Sequence, residues 1–292
     1  MATLRDIKLR IKGITNTSKI TNAMKMISAA KLRKAQERII SARPYAHKIS
    51  SMISHLVTEE DYTLVPLLER REIKNVAVVV ITADRGLCGA FNNNIIKETN
   101  RLIDEDLSSI GAKTQLLCVG KKGYDYFKKG EIPVLDKMIG VFSSLDFNTT
   151  NQISEILVSG YLQKKIDKII FVYNKFKSII QQKIVSETFL PISIETQNEE
   201  ESSTAVHYIF EPGKKEILEY LLPKHLNAQI WRMLLDSNAS ELGARMTAMD
   251  NATTNAKELI RTLKITYNKE RQAAITKEIL EIVSGANALR ET

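Results

Sequence analysis

The stretch LDSNASELGARMTAMDNATTNAKELIRTLKITY, Leu235–Tyr267, decides the architecture. Its line of Leu235, Ala239, Leu242, Met246, Met249, Thr253, Ala256, Ile260, Leu263 and Tyr267 steps alternately by four and three residues. Only Thr253 on that line is not apolar. This is the seam of a helix that winds on another helix. From Lys224 to Thr292 there is no proline, and Gly243 and Gly285 are the only glycines. A helix from about Lys224 to Leu289 would be roughly 95–100 Å long at ~1.5 Å per residue, a rod longer than any compact domain needs.

Outward from that stretch, the N-terminus supplies a second seam. Thr3 and Asp6 form a capping-box-like start. Leu4, Ile7, Ile11 and Ile14, then Leu32, Ala35, Ile39, Ala42, Ala46, Ile49, Ile53 and Leu56, keep one heptad register. Between these two sets the seam positions are Ser18, Thr21, Lys25 and Ser28, and the apolar residues shift to Ile20, Ala23, Met24, Ile27 and Ala30. The shift predicts that the middle of this helix turns a different face to its surroundings. Pro44 should kink the helix without ending it. Paired antiparallel, the two helices differ in length, so the last should overhang by roughly 15–30 Å. On that overhang Ala273, Ala274, Ile275, Ile279, Leu280, Ile282, Val283, Ala286, Ala288 and Leu289 surround the helix. A helix apolar on every side needs enclosure, which here calls for a sleeve from other chains.

Between the helices the period changes. Val76–Thr82 (VAVVVIT) reads as a buried parallel strand. Helix-like sequence follows over 90–108, a strand over 114–120, a short helix over 121–129, a helix over 148–163, a strong strand over 168–176 and an antiparallel edge strand over 182–190. Residues 195–204 read as a loop and 206–210 as one more strand, with Pro223 near the start of the long helix. Lys214 reads as an exposed position. The expected fold is α/β: a long antiparallel coiled coil of N- and C-terminal helices with an inserted Rossmann-like α/β domain. Expected borders are 1–58 for the first helix, 59–75 for a linker, 76–210 for the α/β domain and 211–292 for the last helix.

The chain has 292 residues and a net charge of +8. Residues 1–50 hold twelve Lys or Arg against Asp6 and Glu37, an excess of ten positive charges that leaves the remainder near −2. Such an arm suits an acidic partner, whether nucleic acid, anionic lipid or an acidic protein surface, and equally a solvated helix face. No run of eighteen apolar residues occurs. Cys88 and Cys118 fit a reducing compartment rather than a disulfide framework. Neither a Walker-type loop nor GxGxxG, HExxH or CxxC occurs, and the four histidines lack metal-ligand spacing. Asp84–Gly89 (DRGLCG) follows the first strand, where an α/β fold binds nucleotides, but reads better as a tight strand-to-helix turn. Cys88 near a helix N-terminus would favour a thiolate, yet no base accompanies it. No cofactor, metal or catalytic constellation is expected. Three classes remain: a rod working inside an assembly, a basic nucleic-acid binder, and an α/β enzyme with helical arms.

Lys19–Met26 (KITNAMKM) with Ala29–Gln36 (AAKLRKAQ), Asp84–Gly89, Tyr267–Ala273 (YNKERQA) and Ile275–Ala286 (ITKEILEIVSGA) together resemble the F-type ATP synthase gamma subunit family, of bacterial type, along the whole chain. The resemblance implies a non-catalytic central rotor shaft. It implies as partners the alpha and beta subunits of the catalytic hexamer, the epsilon subunit and the c-subunit ring. It implies no nucleic acid and no small-molecule substrate, and a peripheral location on the cytoplasmic face of the bacterial plasma membrane. The chain lacks the cysteine-bearing insertion of the chloroplast type, so redox switching is not expected. The resemblance implies partner contacts at Met24, Lys25, Arg33, Lys34, Arg245, Arg271, Gln272, Thr276 and Glu278, and places Glu211 in the foot near the ring. Ile279 and Val283 join the contacts as the apolar faces of the tip.

Overall fold

In the computed structural model, residues 3–58, 61–178, 181–192, 211 and 213–288 are described. The loop expected at 195–204, the strand expected at 206–210 and Leu289 lie outside them. The chain opens with α1 (Leu4–Leu56) and closes with α6 (Lys214–Ala288). The Thr3–Asp6 capping box is present: Asp6 N donates to Thr3 Oγ1 at 3.2 Å and Thr3 N donates to Asp6 Oδ2 at 3.1 Å. Between the helices run α2 (Asp61–Leu64), β1 (Asn75–Ile81), α3 (Phe91–Arg101), β2 (Lys113–Val119), α4 (Lys121–Phe127), β3 (Val134–Met138), α5 (Phe147–Leu162), β4 (Lys168–Phe176) and β5 (Gln182–Leu190). The chain packs as two compact units, one of residues up to Ser28 with those from Met246 onward, the other of residues 29–245.

The second unit is built on a sheet of order β3-β2-β1-β4-β5, with β5 antiparallel to β4 and the other pairs parallel. The central strands are apolar on both faces because both are covered. One face, with Ala77, Val79, Ile81, Phe171 and Tyr173, packs against Leu157 and Tyr161 of α5, Ile53 of α1, and Leu218, Leu222, Leu226 and Ile230 of α6. The other, with Val76, Val78, Val80, Leu116 and Cys118, packs against Phe91, Ile95 and Ile96 of α3. A π-helical turn over Leu102–Leu107 extends α3 and buries Leu102, Ile103 and Leu107.

The last helix begins at Lys214, within the expected border of 211, and runs through Pro223. The missing N–H is outweighed by the fully buried face of Leu218, Leu222 and Leu226 around it. A further parallel strand, β3, pairs with β2 at the sheet edge. Its Leu135, Asp136 and Lys137 are exposed, so it carries too little apolar signal to stand out.

The β2–α4 junction has no room for a side chain. Gly120 has φ +98°, and a Cβ there would lie 2.0 Å from the Thr82 carbonyl oxygen. Gly140 also has positive φ, +84°, but open space around it. Gly120→Ala should cost about 2–4 kcal/mol, strain plus overpacking, and Gly140→Ala about 1–2 kcal/mol, strain alone. Urea unfolding of both variants checks this; equal midpoints would show that the close approach to Thr82 is not what demands glycine.

Candidate functional site

β1 lies between β2 and β4, the point where strand order reverses and where open α/β sheets hold ligands. The turn after β1 is occupied by the chain itself. Asp84 Oδ1 accepts from Lys121 N at 3.1 Å and Gly140 N at 2.9 Å. Thr82 Oγ1 accepts from Gly123 N at 2.8 Å, and Asn92 Oδ1 accepts from Ala83 N at 2.9 Å. Four amides around this point are therefore engaged within the chain. Arg245 of α6 donates to the carbonyls of Gly86 and Arg85 and pairs with Glu241 one turn earlier. The pair is largely enclosed, with 11% and 10% of the two side chains exposed. Burial raises the Glu241 pKa, and Arg245 opposes the rise.

The chemistry once conceivable at Cys88 is absent for a physical reason. Its sulfur accepts from Asn92 Nδ2 at 3.1 Å and is buried, and burial pushes the thiol pKa up despite Arg245 nearby. Cys118 is pushed up to about 12 by burial. Neither is a thiolate at neutral pH. Among the described residues, no cluster of His, Cys, Asp and Glu could hold a metal ion.

In the first unit, α1 and α6 pair antiparallel. Thr21 Oγ1 and Thr253 Oγ1 lie 2.7 Å apart, and Lys25 Nζ lies 2.6 Å from Asp250. Here the different face expected in the middle of α1 takes a definite form, with its apolar residues outward. Ser18, Thr21 and Ser28 are buried in the seam, while Ile20 and Met26 are 61% and 63% exposed. A hydroxyl facing a hydroxyl satisfies both buried groups, so the seam continues in polar form and the apolar side chains face outward. Met24 and Lys25 are half-buried at its flank.

Carried back to Leu4, the Thr21–Thr253 register ends opposite about Glu270. Residues 271–288 have no partner on α1 among the described residues. Arg271, Gln272, Thr276 and Glu278 are exposed there. So are Ile275, Ile279, Leu280, Ile282 and Val283, with Ile282 at 71%. In the second unit, Arg33 and Lys34 are exposed, and Arg33 makes only a 3.4 Å pair with Glu37. Glu211 is exposed just before α6. Arg245 stands apart from this set, since its guanidinium is engaged within the chain by the DRGLCG turn. Sequence reasoning missed Glu241; an acid four residues before an arginine on one helix was the available signal.

A pair of long helices joined to an α/β domain whose turn after β1 is tied down by its own chain is the class these features define. The family model described as ATP synthase matches residues 3–289. The chain belongs to the ATP synthase gamma-chain family. It is 51% identical over 293 residues to the ATP synthase gamma chain of Chlorobium phaeobacteroides (strain BS1), covering 99% of each. It is 49% identical over 303 residues to that of Chloroherpeton thalassium (strain ATCC 35110 / GB-78), covering 100% of each. Among solved structures, a chain of the Euglena gracilis mitochondrial ATP synthase rotor in rotational state 1 superposes with TM-score 0.66 at 21% identity, over 93% of this chain and 98% of that one. A chain of the same organism's enzyme in rotational state 3 gives 0.70 at 22% identity, over 98% and 94%. At those identities the likeness is one of fold.

Proposed function

We propose that the chain is the central rotor shaft of a bacterial proton-translocating ATP synthase, coupling proton flow to ATP synthesis on other subunits. The family supports this reading, and one observation carries it: a pair of antiparallel helices whose final apolar turns find no partner on α1 among the described residues. The proposed partners are the alpha and beta subunits around the rod, the epsilon subunit and the c ring at the α/β domain, with Glu211 on the ring side. The proposed location is the cytoplasmic face of the plasma membrane, held peripherally; among the described residues no helix is long and apolar enough to cross a membrane.

The residues proposed to touch partners are Met24, Lys25, Arg33, Lys34, Arg271, Gln272, Thr276, Glu278, Ile279 and Val283. Arg245 contributes by holding the turn after β1. A shaft shifts an equilibrium only through differential contact: each catalytic conformer must meet a different face of the rod. Exposed Ile20, Ile27 and Met26 on one helix and Ile275–Val283 on the other supply such unlike faces.

Coexpression with alpha and beta subunits tests this. The expected result is a stoichiometric complex with nucleotide turnover, and no turnover by the isolated chain. The contrary outcome is duplex DNA binding at submicromolar affinity with a log–log salt slope near −0.9 per phosphate, which would make the basic first helix a nucleic-acid arm.

A further inference from the structure

In the second unit, α1, α6 and the C-terminal end of β4 enclose a pocket of about 260 Å³. Ile39, Ala46, Phe176 and Leu235 give it apolar walls, and Arg43, Lys175 and Arg232 line it as well. Asp236, only 4% exposed, lines it too. Its carboxylate makes no hydrogen bond or close ion pair among the described residues. Arg232 has one arm on Glu187 at 2.6 Å, and Glu187 also accepts from the Tyr173 hydroxyl at 2.7 Å. Arg43 and Lys175 have no close partner among the described residues. A pocket with three cations, one buried unpaired acid and apolar walls has the polar anchors and greasy lining of a small-molecule site.

We propose that this pocket binds a carboxylate, which faces Arg43, Lys175 and Arg232 and accepts a hydrogen bond from the protonated carboxyl of Asp236. Two carboxyl groups in one enclosed site share a proton rather than both ionise. The groups facing Asp236 are Arg232 on its own helix, Lys175 on β4, Arg43 on α1 and Glu187 on β5. Burial outweighs the three cations and lifts Asp236 to about 6 in the empty pocket. An incoming anion raises it further, so binding near neutral pH takes up a proton. Affinity therefore rises as pH falls from 8 toward 6, and levels off below the empty-pocket value. The carboxylate could be a free organic acid or an acidic side chain of a neighbouring subunit.

Titration calorimetry of the full chain with benzoate, in buffers of different ionisation enthalpy, tests the site. Binding should tighten at least tenfold from pH 8 to pH 6, with proton uptake. Asp236→Asn, which keeps a hydrogen-bond donor, should remove the pH dependence and retain the affinity seen at pH 6. Lys175→Gln, an exposed change that spares the core, should weaken binding about tenfold. Benzyl alcohol, with a similar body and no charge, should not bind. Benzoate bound by the free chain but not by the assembled complex assigns the natural carboxylate to a neighbouring subunit; binding to both assigns it to a free acid. No saturable binding at millimolar benzoate at pH 6, equal binding of benzyl alcohol, or indifference to Lys175→Gln would overturn the proposal.

Discussion

Arg245→Ala should destabilise the isolated chain by about 3–5 kcal/mol, the range for removing one partner of a buried ion pair. It strips the cation from Glu241, which stays buried, and frees the carbonyls of Gly86 and Arg85. The pH dependence has a definite sign. Burial already raises the Glu241 pKa, and losing Arg245 raises it further. A carboxyl whose folded-state pKa lies above its unfolded value costs stability as pH climbs through the folded value. The deficit should therefore be larger at pH 8 than at pH 5, and Arg245→Ala with Glu241→Gln should recover much of it. Urea unfolding at both pH values checks this. An arginine reserved for a partner subunit would leave the midpoint of the isolated chain where it was.

Ile279→Asp should do the opposite, sparing the isolated chain and damaging the assembly. Ile279 is 54% exposed, so the isolated protein should keep its helicity and lie within about 0.5 kcal/mol of the parent. Inside an apolar sleeve the new carboxylate meets a desolvation cost of several kcal/mol. At about 3 kcal/mol the affinity for an alpha–beta complex falls roughly a hundredfold. Lys214 is not the exposed reference it first reads as, because it lies 2.6 Å from Asp61; Lys113, exposed at the start of β2, is the better control. Pull-down of alpha and beta with Ile279→Asp and Lys113→Asp decides. If Ile279→Asp assembles like the parent, or unfolds the free chain, residues 271–288 are not a bearing.

What could be read from sequence followed repeated apolar spacing. The heptad lines identified both helices, and the β-branched runs identified β1 and β4, because each pattern reflects burial on a known period. Where burial is polar or partial, spacing alone says less. Thr21 meets Thr253 from 232 residues away, a match that no count of apolar positions reveals. β3 is half exposed and gives no apolar run. The tip was legible because it departs from the seam and is apolar on every side. The inward role of Arg245 was not, because its carbonyl partner at Gly86 lies 159 residues away.

The Thr21–Thr253 contact bears on how the first unit carries load. A purely aliphatic seam could slip by one heptad and still bury carbon against carbon. Here a slip would set Thr21 against Met246 or Ile260 and break the hydrogen bond between Thr21 and Thr253, leaving each hydroxyl only its own helix carbonyl at Ser18 or Met249, while Lys25 left Asp250. The lost hydrogen bond costs about 0.5–1.5 kcal/mol. The two strands of the rod are thus keyed to one another like the splines of a drive shaft, so a twist applied to one is handed to the other without creep along the axis.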